Sequence, residues 1–102
     1  MKILNPSDIQ KILKEKYFYK IYKTIGSHIE FNKTYVLFLF WETNKELSLI
    51  LEEERFKIKE IIIDCFKKER CYPSIIKDII IYFDSDENVK KKYKGNYFYA
   101  TH

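Results

Sequence analysis

Histidine is the side chain that most often moves protons near neutral pH, and this chain contains two of them. His102 is the last residue, so His28 is the only credible general acid or base. His28 stands near Glu30 in a segment that reads as a turn or loop, and no recognisable motif ties a Ser or Cys nucleophile to it. We interpret His28 as a solvated loop residue, and we expect the protein not to be an enzyme.

The two cysteines do not form a metal-site pattern. Cys65 and Cys71 are too few for a zinc site built from thiolates alone, and no histidine stands at a ligand spacing from either. We read Cys65 as a buried helix residue and Cys71 as a loop residue. A disulfide between them is the alternative in an oxidising or hyperthermophilic setting.

Two acidic clusters have carboxylates that a divalent cation would accept. The run at residues 52–54 directly precedes a predicted helix, where negative charge interacts favourably with the helix dipole without any metal. Asp84, Asp86 and Glu87 resemble part of a calcium loop, but the required Gly and the later Glu are missing. We expect a polar turn at residues 84–88, and we predict neither a metal nor a cofactor.

A basic cluster that runs into aromatic residues is the most suggestive stretch for binding. Ammonium groups bind phosphates and aromatic rings stack on bases, so this stretch is a candidate nucleic-acid site. Its candidate residues are Lys90, Lys91, Lys92, Lys94, Tyr97 and Tyr99. The alternative is structural, because lysines guard edge strands against aggregation and alternating Tyr and Phe fill the face of a sheet.

Aromatic residues are more numerous than a core of this size needs. The chain has nine Tyr and eight Phe, and aromatic side chains are enriched at protein interfaces. An unpaired strand edge or a groove would accept an extended segment through main-chain hydrogen bonds, with aromatic pockets giving selectivity. The alternative is that these rings replace the scarce Leu and Ala in the core.

The first half of the chain predicts one helix and two or three strands. Residues 6–8 mark a helix start, with Ser7 or Asp8 as the cap, and the following apolar residues repeat at helical spacing. Residues 17–25 favour a strand that Gly26 ends, and residues 34–42 predict a strand inside a sheet. The short apolar run at residues 47–51 is expected to form a hairpin with it.

The second half predicts one helix and two further strands. Residues 55–69 show apolar positions at helical spacing, and Pro73 interrupts the chain after them. Residues 75–83 and 93–100 read as strands on either side of the acidic turn.

These elements predict a single α+β domain, residues 1–102, in which an antiparallel sheet packs with about two helices. The order reads as two similar βαββ-like motifs, so a structural repeat of residues 1–46 and 47–102 is a hypothesis. Truncation of a buried ring such as Phe38 to Ala should cost about 3 to 5 kcal/mol. The predicted core comprises Ile12, Leu13, Val36, Phe38, Phe40, Ile61, Ile62, Ile80 and Phe98.

Charge and hydropathy restrict the partners only weakly. The net charge of +4 is modest, since 19 basic residues oppose 15 acidic ones along the whole chain. The strongest apolar run, residues 35–41, is far shorter than the roughly 20 residues of a membrane helix, and residues 1–6 lack a signal-peptide hydrophobic region. We therefore expect no membrane partner and a cytoplasmic location.

The Ile-, Lys- and Tyr-rich, Gly-poor chain, with its segments TYVLFLFWE and KKKYKGNYFYATH, resembles small uncharacterised proteins of filamentous viruses of hyperthermophilic archaea, such as those that infect Acidianus. The resemblance covers the whole chain but rests on composition and length, so it transfers no functional residue. It implies a thermophilic viral accessory protein in the host cytoplasm that acts by binding. Proteins of AT-rich bacterial phages and bacterial immunity proteins are similar in style.

The sequence thus favours a non-enzymatic protein–protein interaction module that binds an unknown protein or peptide through a groove or strand edge. The alternative is a small nucleic-acid-binding protein that uses the basic aromatic segment at residues 90–99. Either is compatible with a monomer, and an unpaired strand edge would also allow a homodimer.

Overall fold

The computed structural model describes residues 5–29, 34–68 and 79–101. These ranges form helices and a three-stranded sheet, so the predicted α+β class is confirmed. The elements are α1 (Pro6–Glu15), β1 (Ile21–Ile29), β2 (Thr34–Trp41), α2 (Asn44–Ser48), α3 (Glu52–Lys68), β3 (Ile80–Ser85), α4 (Asp86–Tyr93) and α5 (Tyr97–Ala100).

The sheet is mixed, with β2 between β1 and β3. β1 runs antiparallel to β2, with Ile25 opposite Phe38, and β3 runs parallel to β2, with Tyr82 opposite Phe38. A parallel pair needs a crossover, and α2 and α3 provide it. The expectation of a wholly antiparallel sheet is therefore wrong for β3, because a long helix separates it from β2 and returns the chain to the same end of the sheet.

One face of the sheet holds the main core. Alternate residues of β2 point toward α1 and α3, as the two-residue period of a strand requires. The ring of Tyr35 packs edge-on against Phe66 of α3, with 5.4 Å between centroids. This core contains Ile9, Leu13, Ile21, Tyr35, Leu37, Leu39, Trp41, Ile58, Ile61, Ile62, Phe66 and Ile79.

The opposite face is covered only in part by the described residues. Phe40 is buried beneath Tyr97 of α5, with 4.9 Å between ring centroids. Phe38 is half-buried and stacks on Tyr82, which is itself exposed. Within the described ranges, the sheet therefore has a closed face and a face that is open toward β3.

The predicted core is correct for five of its nine residues: Leu13, Val36, Phe40, Ile61 and Ile62 are buried. Ile12 and Phe38 are half-buried. Ile80 is 41% exposed because β3 lies at the sheet edge, and Phe98 is 64% exposed because it belongs to a short surface helix, so both predictions are wrong.

Three predicted elements are confirmed where the hydrophobic period is long. α1 contains the first predicted helix, and α3 contains residues 55–68 of the helix predicted at 55–69, whose last residue lies outside the described ranges. β2 covers residues 34–41 of the strand predicted at 34–42. The cap of α1 is Asn5 rather than Ser7 or Asp8, since its Oδ1 accepts the N–H of Ser7 at 3.1 Å. β1 starts later than predicted and continues through Gly26, where an end was expected.

The hairpin predicted at residues 47–51 is wrong, because this segment belongs to α2 and the turn that follows it. Thr43 caps α2 by accepting the N–H of Glu46, while its own hydroxyl donates to the Glu46 carboxylate at 3.2 Å. This exchange is a form of the capping box, and the sequence Thr43-Asn44-Lys45-Glu46 carries its signature. The hydrogen bonds of this cap therefore favour a helical turn over the strand that the short apolar run predicts.

The strand predicted at residues 93–100 is also wrong, since α4 and α5 occupy this region. Ser85 caps α4 where a turn was expected, left-handed backbone at Lys94 and Gly95 ends the helix, and Asn96 caps α5. Without a hairpin here, the described elements do not follow two βαββ motifs. The predicted strand at residues 75–83 is present from Ile80, and residues 75–78 lie outside the described ranges.

Candidate functional site

The predicted nucleic-acid residues lie on two helices rather than on a strand. Lys91 and Lys92 are exposed on α4, and Lys94 is exposed just after it. Tyr99 is exposed on α5. These four side chains are accessible, but they do not form the flat, alternating surface that a strand would present.

The other two predicted residues, Lys90 and Tyr97, are already engaged by a buried carboxylate. The Tyr97 hydroxyl donates to Asp86, and the Lys90 ammonium lies 2.9 Å from the same carboxylate. These contacts, the Tyr97 hydrogen bond first, hold the pKa of Asp86 below its ordinary value. Burial and the hydrogen bond raise the pKa of Tyr97. The cluster therefore joins α4 to α5 and engages the hydroxyl of Tyr97, whereas the side chain of Lys90 stays 70% exposed despite its ion pair.

Lys23 extends this cluster to the sheet. Its ammonium lies 4.2 Å from the centroid of the Tyr97 ring, and the bulge between Ile21 and Lys23 brings it to the face on which Phe40 lies. Tyr97 is thus held by a cation on one side, by Phe40 on another and by Asp86 through its hydroxyl. This arrangement fixes α5 against the sheet.

The described residues that were considered for catalysis or metal binding lie in regular secondary structure and do not form a common site. His28 lies in β1 opposite Tyr35, so its expected place in a loop is wrong. Cys65 is half-buried on α3, and Cys71 lies outside the described ranges. Residues 52–54 form the first turn of α3, as the helix-dipole argument predicted. Across the described segments, no three His, Cys, Asp or Glu side chains are grouped so that they could hold a metal ion.

The acids at residues 84–88 stabilise the end of β3 and the start of α4, so the interpretation as a turn is wrong. Asp84 Oδ1 accepts the N–H of Ser85 and the side-chain amide of Asn88, both at 2.8 Å. Glu87 accepts the N–H of Asn44 at 2.8 Å, which connects α4 to α2.

The outer edge of β3 offers the clearest binding geometry. β3 pairs with β2 on one side, and no other described strand pairs with it. A groove of about 360 Å³ runs between this edge and α3. Its lining residues are Glu52, Arg55, Phe56, Lys59, Ile79, Ile80, Ile81 and Phe83. We call this feature the β3 groove.

The β3 groove combines an apolar floor with a fixed cation. The guanidinium of Arg55 lies 5.3 Å from the centroid of the Phe83 ring, and its Nε donates to the Ile50 carbonyl at 3.3 Å. Phe56 stands beside the groove with 65% of its surface exposed. Arg55 and Lys59 supply two positive charges against the one negative charge of Glu52. The groove therefore suits an extended, mainly apolar segment with an acidic residue.

A partly buried hydrogen bond connects α3 to the chain between α1 and β1. The Tyr19 hydroxyl donates to Glu54 at 2.7 Å, linking the α1–β1 connection to the first turns of α3. Burial, followed by this hydrogen bond, raises the pKa of Tyr19 to about 12. The hydroxyl therefore stays protonated and keeps donating throughout the neutral range.

The residues of the β3 groove are not recognisable as a site from the sequence. Alternation of Ile81 and Phe83 with Ile80 and Tyr82 is visible in the sequence, but edge or centre position depends on strand order. Phe56 carried a signal, because it stands on the polar side of the helical pattern.

No described helix is long and apolar enough to cross a membrane. Comparison with protein-family models, curated proteins and solved structures finds no match for this chain.

Proposed function

We propose that this protein is a non-enzymatic protein–protein interaction module that binds an extended segment of a partner by adding a strand to β3. The observation that carries the proposal is the coincidence of an unpaired strand edge, among the described strands, with the β3 groove. Main-chain hydrogen bonds along β3 supply affinity for any extended segment, and the groove supplies selectivity.

The surroundings of β3 suit the two faces of an added strand. Side chains on one face of the segment lie beside Phe56 and Arg55 of α3. Side chains on the other face lie beside Ile80 and Tyr82, which are both exposed. Since both faces find apolar contacts, we expect the preferred segment to be apolar at most positions, with an acidic residue near Lys59.

A peptide selection tests this proposal. Displayed random 12-residue peptides are enriched on the wild-type protein, and the recovered peptides are measured on Ile80→Lys and Phe56→Ala. A lysine on an edge strand opposes pairing, and loss of an exposed ring removes contact area. We expect both variants to bind at least tenfold more weakly, and we expect bound peptide to slow amide exchange of residues 80–85.

The matched control is Leu49→Ala, which removes an equally exposed apolar side chain that does not line the groove. It should bind the peptides as the wild type does. The proposal is wrong if Ile80→Lys binds normally, or if exchange slows only outside β3. Dimers that form through β3 and exclude peptide would assign the edge to a second copy, and light scattering on dilute protein detects them.

Nucleic-acid binding through residues 90–99 is the second candidate, and the exposure of Lys91, Lys92, Lys94 and Tyr99 favours it. Replacement of Lys90, Lys91, Lys92 and Lys94 by Ser should flatten the dependence of nucleic-acid affinity on log salt. Peptide binding at β3 should not respond. An unchanged slope would remove this candidate.

The biological setting is part of the same proposal. The composition, through its resemblance to small proteins of archaeal filamentous viruses, supports an accessory protein in the cytoplasm of an infected cell. A pulldown from such a lysate with and without nuclease would identify the partner, provided that Ile80→Lys loses it.

A further inference from the structure

The connection between α1 and β1 holds an aromatic residue in an unfavourable backbone conformation. Phe18 has a φ of 62°, a left-handed value that bulky residues rarely adopt. The conformation ends α1, because it allows the Tyr19 N–H to reach the Leu13 carbonyl at 3.0 Å. Glycine or asparagine usually fills such a position.

The ring of Phe18 contributes little buried surface to the fold. The side chain is 84% exposed, the highest value among the large apolar residues of the described chain. Packing of the ring therefore does not compensate the strain, and the ring is available for a contact outside the fold. Tyr22 on β1 is also half exposed and lines the same open groove of about 490 Å³.

Lysines surround these two rings. Lys14 and Lys20 line the groove that contains Phe18, and Lys14 also lines an adjoining groove beside Lys11. None of these three lysines forms an ion pair with an acid of the described ranges. Three acids stand among these lysines, Glu42 and Glu46 in the wall of the first groove and Glu15, on α1, in the wall of the adjoining one.

We propose that this surface, formed by Lys11, Lys14, Phe18, Lys20 and Tyr22, binds single-stranded nucleic acid. Phe18 and Tyr22 provide faces on which unpaired bases stack, and the lysines contact the phosphates between them. A duplex does not fit this role, because its bases are already stacked. The site lies apart from the β3 groove and does not depend on it.

Fluorescence anisotropy with a labelled 15-nucleotide oligo-dT tests the proposal. Phe18→Gly should weaken binding about 5- to 150-fold, the range expected for loss of one stacked base. Its unfolding temperature should stay the same or rise, because glycine accepts the left-handed conformation. Phe18→Tyr keeps a ring and should retain the affinity. The control is Phe56→Ala, which removes another exposed ring, one that lines the β3 groove. It should not change oligonucleotide binding.

The lysines are tested by salt dependence. The double variant Lys14→Ser/Lys20→Ser should reduce the slope of log affinity against log salt by about 0.7 for each lysine. Lys57→Ser/Lys67→Ser on α3 is the charge-matched control and should leave the slope unchanged.

Four outcomes overturn this proposal: no binding of oligo-dT at low salt, normal binding by Phe18→Gly, equal binding of a duplex, or a slope that responds to Lys91 and Lys92 instead. Peptide binding to Phe18→Gly is measured in parallel. Since that variant should bind peptide normally, failure of this inference and failure of strand addition at β3 are distinguishable.

Discussion

Gly26 lies within β1 at a point where a methyl group has no room. A Cβ atom there would overlap the hydroxyl oxygen of Tyr35 and would stand 2.7 Å from Cγ of Pro6. Tyr35 is buried against Phe66, so its ring cannot move aside without disturbing the core. Pro6 begins α1, which makes this glycine the point where helix, strand and core ring meet.

We predict that Gly26→Ala lowers the free energy of unfolding by about 1 to 3 kcal/mol, the usual cost of forcing a methyl group into a packed interior. Chemical denaturation measures the change. Tyr35→Phe removes the nearer oxygen, so the double variant should lose less than the sum of the two single variants. A Gly26→Ala protein of unchanged stability would contradict this close approach.

At the scale of elements, the carboxylate of Asp86 connects α4 to α5. It accepts a hydrogen bond from the Tyr97 hydroxyl of α5 and forms an ion pair with Lys90 of its own helix. The Asp86 side chain is almost fully buried. The carboxylate also stands in the first turn of α4, where negative charge is favourable. The short helix α5, only four residues long, depends on this contact because it cannot be stable alone.

The pH dependence of stability follows from the lowered pKa of Asp86. The stabilisation is complete above the ordinary Asp pKa of about 3.9 and is lost as the pH falls through the lower folded value. We predict that Asp86→Asn loses about 1 to 3 kcal/mol at pH 7 and that its difference from the wild type disappears in strong acid. Denaturant titrations from pH 2 to 7 measure this, with exposed Asp64→Asn as control. A difference that persists at pH 2 would assign the effect to packing.

Helices were predictable from the sequence where apolar residues repeat at helical spacing over several turns. They were not predictable where one capping side chain determines whether a short segment is helical. α3 spans 17 residues, and its buried residues Ile58, Ile61 and Ile62 keep the spacing of the sequence pattern. α2 and α5 are one-turn helices, set by the side chains of Thr43 and Asn96. Their aromatic and aliphatic residues have strand propensity, which local hydrogen bonds override.

The candidate sites were harder to predict than the elements, because they depend on how elements are arranged. The lysines at residues 90–94 were visible in the sequence, but the burial of Asp86 beside Lys90 was not. Phe18 gave no signal, since the left-handed backbone that exposes it arises where α1 meets β1. The β3 groove required the parallel pairing of β2 with β3, which sequence spacing alone does not specify.

At the scale of the whole molecule, the two faces of the sheet differ in what they hold. Leu39 faces α1 and α3 and is fully buried, whereas Phe38, its neighbour on β2, is half-buried on the face that opens toward β3. The closed face fixes the fold. Among the described residues, nothing covers all of the open face, and no strand pairs with the outer edge of β3.

This asymmetry revises the cost expected for Phe38. We predict that Leu39→Ala lowers the free energy of unfolding by about 2 to 5 kcal/mol, as for a buried aliphatic side chain. Phe38→Ala should lose only about 1 to 2 kcal/mol, because part of this side chain is already exposed to water in the folded protein. Denaturation of both variants under the same conditions measures the ratio. If Phe38→Ala costs as much as Leu39→Ala, then the second face is also covered in solution, and an added strand at β3 would meet a closed surface there.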